Sequence, residues 1–108
     1  MGMDLYIYRA RTKAAFDAKG WYNDKEIIEV WYARRFWGIL NAIPSVQKEG
    51  YGEVLRLTRN DLEEMIEYAT HNRDYWNTFN SVPGLCEILD TFDTWEEKGW
   101  HFYLYVSE

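Results

Sequence analysis

The 108 residues fill one domain, 1–108, and leave no room for a second. A hydrophobic content of 47% excludes a disordered chain, and the single cysteine, Cys86, excludes an internal disulfide and a cysteine-based metal site. The formal net charge of -6 disfavours a nucleic-acid partner, whose phosphates it repels at long range, and favours a partner with a basic surface.

The first element in chain order is Asp4-Leu5-Tyr6-Ile7-Tyr8-Arg9, which alternates aliphatic and aromatic residues with the period of a strand. Residues 12–24 carry Lys, Asp, Gly20 and Asn23 and read as a loop. The spacing then predicts a helix over 25–42. Ile27, Ile28, Val30, Trp31, Tyr32, Phe36, Trp37, Ile39 and Leu40 cover most of its circumference, and Arg34, Gly38 and Asn41 mark one polar stripe with Arg35 at its edge. Pro44 ends it.

Residues 52–57 predict a second strand. A helix follows with an apolar stripe of Leu62, Met65, Ile66, Ala69 and Trp76, capped by Thr58 or by Asn60, the latter with Glu63 at capping-box spacing. After a turn at 77–83, Leu85, Ile88, Leu89, Phe92 and Trp95 recur at helical spacing, with Pro83 in the first turn and Gly99 as the stop. Residues 100–106 form a third strand. The expected fold is α+β, in the order β-α-β-α-α-β, with a small sheet of about three strands and helices on one face. Leu5, Ile7, Phe102, Leu104 and Val106 then face the helices, and Tyr6, Tyr8, Tyr103 and Tyr105 share the opposite face.

Aromatic residues make up 19% of the chain, more than a core of this size needs, and Tyr and Trp favour contact surfaces. The tyrosine face, with Tyr6, Tyr8, Tyr103 and Tyr105, is one candidate partner surface. Trp31 beside Arg34 and Arg35 is the other, because an indole flanked by guanidinium groups has the make-up of a contact hot spot. In helical projection Glu29 falls in an apolar sector with Tyr32, so its carboxylate needs a cation such as Arg9, Arg11 or Arg56. Glu29, Tyr32 and Arg34 could instead line a ligand cleft. Glu67, His71 and Asp74 share one helix face but lack ligands from a second element, so no metal or other cofactor is expected. Phosphate loops, dinucleotide fingerprints and nucleophile elbows do not occur, and no catalytic residue is assigned.

The opening Met1-Gly2-Met3-Asp4-Leu5-Tyr6-Ile7 resembles the M-G-L-D-M-Y-L start of a group of small uncharacterised phage and prophage proteins. Those proteins carry an E-V-x-Y-W-R-K segment, to which Glu29-Val30-Trp31-Tyr32-Ala33-Arg34-Arg35 is similar. The likeness covers mainly the first half. The family's histidine falls here on Leu40, and its Gly-Phe-Phe-Phe-Gly stretch is missing between Trp76 and Pro83. The resemblance implies a mobile-element origin and no particular activity.

Together these features predict a protein-binding module, a phage-type accessory or anti-defence protein that inhibits a host protein through an acidic aromatic surface and acts as a monomer or homodimer. A small enzyme or ligand-binding protein with a cleft at Glu29, Tyr32 and Arg34 is one alternative, and single-stranded nucleic-acid binding on the tyrosine face is a second. The lone cysteine, with neither a membrane-spanning run nor a signal-peptide pattern, points to the host cytosol.

Overall fold

The structure, a computed structural model, describes residues 3–52, 54–72 and 81–107. Four strands form one antiparallel sheet: β1 (Asp4–Ala10), β2 (Ile28–Arg34), β3 (Val54–Arg56) and β4 (His101–Ser107), in the order β2-β1-β4-β3. Helices α1 (Pro44–Glu49), α2 (Arg59–His71) and α3 (Ser81–Glu97) complete the chain, together with 3-10 turns at Lys13–Asp17, Trp21–Asn23 and Trp37–Ala42. The α+β class and the two long helices agree with the sequence reading. The sheet has four strands where about three were expected.

The extra strand replaces the predicted helix over 25–42. Ile28–Arg34 is β2, and only Trp37–Ala42 beyond it is helical, as a 3-10 turn. Val, Ile, Trp and Tyr are strand formers, because their bulky side chains fit a pleated surface better than a helical one. Period-two patterning is present but interrupted. Ile7 pairs with Trp31 and Tyr8 with Glu29, so Val30 is the extra residue of a β-bulge. The bulge places two apolar residues side by side in the sequence and imitates a helix covered all round. Arg35 then closes the strand in the left-handed region at φ 56°, its amide donating to the Met3 carbonyl at 2.8 Å.

The main core lies between the sheet and the helices. Leu5, Ile7, Phe102, Leu104 and Val106 face it as expected, and α2 and α3 contribute Leu62, Met65, Leu85, Ile88 and Phe92. Trp76, assigned to the same stripe, lies outside the described residues, as do Glu53 and Asp74. Of the two sequence-predicted caps Thr58 is the one used, and its capping-box partner is Asp61. The Asp61 side chain is fully buried and accepts hydrogen bonds from the Thr58 amide (2.8 Å), the Ser45 amide (2.9 Å) and the Ser45 hydroxyl (2.7 Å). One carboxylate thus ties the start of α2 to α1.

Candidate interaction surface

The sheet register builds the surface opposite the helices. Tyr6 stands between Tyr32 and Tyr105, and Tyr8 between Glu29 and Tyr103. The expected tyrosine face therefore exists, with Tyr32 and Glu29 added to it because they belong to a strand and not to a helix. Ring centroids lie 5.0 Å apart for Tyr6–Tyr32, 5.7 Å for Tyr6–Tyr8 and 6.0 Å for Tyr6–Tyr105. These are favourable aromatic separations.

The 11–27 connection, of which 12–24 was expected to be a loop, folds back over part of this face. Phe16 packs 5.2 Å from Tyr103, and Trp21 lies 5.2 Å from both Tyr8 and Tyr105. With Ala10, Ile27 and Val54 they make a second, smaller core. Tyr103 is consequently only 2% exposed and cannot serve as a contact residue on this surface. Tyr6, Tyr8 and Tyr105 are half-buried, while Tyr32 is 42% exposed at the β2 edge. The Tyr32 hydroxyl donates to Asp4 Oδ1 at 3.2 Å.

Trp31 corrects the other candidate surface. It is buried beneath α3 on the helix-facing side, and its indole N–H donates to the Ser81 carbonyl at 3.0 Å. A Cβ on Gly84 would stand 2.9 Å from the Trp31 ring, so this glycine permits the close approach of α3. Trp31 therefore does not join Arg34 and Arg35, both exposed, in one surface patch. The exposed indole in this region is Trp37. Sequence reasoning missed it as a surface residue because the helical projection treated every aromatic from 31 to 37 as one apolar face.

Glu29 is exposed and is not the buried carboxylate that the helical projection implied, so it has no burial for a cation to offset. Arg56, one of its proposed partners, instead pairs with Glu96 at 2.8 Å. Glu29 and Tyr32 line an open groove of about 480 Å³ along the β2 edge. Val30 and Trp31 contribute to its lining, and Gly84 and Glu87 of α3 form the opposite side. Two carboxylates, Glu29 and Glu87, thus border apolar surface next to an edge strand.

Burial pushes the Tyr8 phenol up to about 12, with Glu29, Tyr6 and Tyr105 adding to the shift. Tyr6 is raised by burial and then by Asp4, and Tyr32 by burial and by its hydrogen bond to Asp4. The phenols on this face stay protonated at neutral pH, so they offer hydroxyl groups and ring faces and do not act as bases.

Glu67 and His71 approach to 3.4 Å on the exposed face of α2, and the third residue of that trio, Asp74, lies outside the described residues. Among the described residues, no group of three or more His, Cys, Asp or Glu is arranged to hold a metal. Among them, too, no helix is long and apolar enough to cross a membrane. No family model matches the chain, and no curated protein or solved structure is significantly similar to it.

Proposed function

We propose that this chain is a protein-binding module, a phage or mobile-element accessory protein that inhibits a basic host protein through the acidic aromatic edge of its sheet. The observation that carries this reading is the outer strand β2. Among the described residues it has a neighbour on one side only, and it sets exposed Tyr32 and Glu29 beside a groove walled by Glu87. An open strand edge offers backbone donors and acceptors, and the carboxylates favour Lys or Arg on the partner. Tyr6 and Tyr105 extend the contact area onto the sheet face, and Arg34 and Arg35 stand at the far end of β2.

The test is affinity purification from host lysate with the wild-type chain and with a Glu29→Lys/Tyr32→Ala double variant. A stoichiometric basic partner held by the wild type and lost by the double variant is the expected outcome. Absence of any stoichiometric partner, or equal capture by both chains, would overturn the proposal. Light scattering distinguishes a homodimer using the same edge.

The groove favours a second reading, a small-ligand site at Glu29 and Tyr32, which adjoin a space of ligand size, whereas Arg34, expected beside them, is not among the residues lining it. Nucleic-acid binding on the tyrosine face has less support, because Asp4 and Glu29 share that face. A gel shift with single-stranded DNA at low salt is expected to show no retention.

A further inference from the structure

The corner of the molecule around Trp95 and Trp100 gathers positive charge. At the end of the sheet away from Asp4, Arg9 places its guanidinium 3.7 Å from the centre of the Trp95 ring. Arg11 lies 4.2 Å from the ring of Trp100, and the Lys98 ammonium 5.3 Å from Trp95. The two indoles meet edge to face at 6.3 Å. Among the described residues none of these three cations forms an ion pair, although the chain carries a net charge of -6. The C-terminal end of α3 accounts for some attraction of cations to this corner. It does not account for the Nε–H of Arg9, which is buried and has no hydrogen-bond partner.

Arg9 lines a cavity of about 390 Å³ between β1, β2 and α3, a volume within the range of small-molecule sites. Buried Ile88 and Phe102, with half-buried Val30, give it apolar walls. Exposed Glu87 and Thr91 lie at its rim. A guanidinium carries its N–H groups in one plane and presents them edgewise, the geometry that suits a planar oxyanion.

We propose that this cavity binds a small monoanionic carboxylate with an apolar body, held by Arg9 and stacked beside Trp95. The carboxylate pairs with the terminal N–H groups of Arg9, and the apolar body covers Val30, Ile88 and Phe102. Glu87 at the rim disfavours a phosphate monoester, whose larger negative charge it repels more strongly. The cavity adjoins the β2 groove through Val30, Gly84 and Glu87, which line both, but the carboxylate proposal does not depend on the partner-binding reading.

The experiment is an NMR titration of the full chain with benzoate, phenyl phosphate and inorganic phosphate, following the Arg9 Nε–H and the Trp95 indole N–H. Benzoate is expected to shift both signals saturably. Phenyl phosphate is expected to bind more weakly, and inorganic phosphate not to saturate. Arg9→Lys retains the charge but loses the fork, and should weaken benzoate by about tenfold. Thr91→Leu narrows the cavity while leaving Arg9 in place and should also weaken it. The proposal is overturned if benzoate gives no saturable shift of Arg9, if phenyl phosphate binds more tightly than benzoate, or if a folded Arg9→Lys variant binds benzoate as well as the wild type.

Discussion

The two faces of the sheet solve the same burial problem with different materials. Towards the helices, Leu5, Ile7, Leu104 and Val106 meet α2 and α3, whose side chains interlock with theirs in a closed core. On the other side, tyrosines meet two short 3-10 turns, and only Phe16, Trp21 and Ile27 come down to cover them. Aliphatic side chains gain only in proportion to the area removed from water, whereas tyrosine packs its ring while leaving its hydroxyl wet. The first face is therefore committed to stability. The second is stable where it is covered and available for contact where it is not.

Substitutions on the two sides of the sheet should differ in cost accordingly. The largest effect is expected from Phe102→Ala, which opens a void on the helix side beside Phe92, whose ring lies 5.7 Å away. It should cost about 3–5 kcal/mol in urea unfolding. Asp61→Ala removes three hydrogen bonds and leaves the Thr58 amide without its partner. A loss of about 2–3 kcal/mol is expected, and thermal melting would read it. On the tyrosine side, Phe16→Ala should cost less, about 1.5–3 kcal/mol, because its neighbours remain partly solvated. A loss equal to that of Phe102→Ala would show that the cover is a full core.

Alkaline titration probes the covered part of the tyrosine face. The folded-state pKa of Tyr8 is raised from 10.0 to about 12, so its contribution to stability is fully present below pH 10 and is lost as pH rises towards 12. The urea midpoint should fall across that window, with a shallower fall in Tyr8→Phe. The smallest effect on stability is expected from Tyr32→Ser at the uncovered edge, within about 0.5 kcal/mol. If the proposed function holds, the same change should remove most of the partner binding.

Both long helices and the terminal strands were legible in the sequence because each carries an uninterrupted period. The facing of β1 and β4 followed directly from Tyr6, Tyr8, Tyr103 and Tyr105. Strand β2 was not legible, because the bulge at Val30 shifts the alternation by one residue and sets Val30 beside Trp31. That shift also misplaced the candidate site. Read as a helix, the segment put Trp31 at the surface and Glu29 in the interior, and the pleat of a strand reverses both. Folding of the 11–27 connection over the tyrosines had few signals, Phe16 and Trp21 among them, and neither fixes a direction. The Arg9 cluster joins residues from β1, α3 and the turn before β4, so no local pattern could report it.

The pairing of β1 with β4 sets Asp4 against Ser107 and Ala10 against His101, and these two strands are the inner pair of the sheet. On a ribosome, β1 emerges early and waits for β4, the last of the elements described here. Until then β2 has only β1 to pair with, β3 has no neighbour, and the aliphatic face has no complete sheet on which to close. Loop closure over nearly the whole chain is slow compared with local helix formation. Folding of this domain is therefore expected to wait for β4, with α2 and α3 formed first. A chain stalled before residue 101 would expose the aromatic and aliphatic surfaces together and become a target for chaperones.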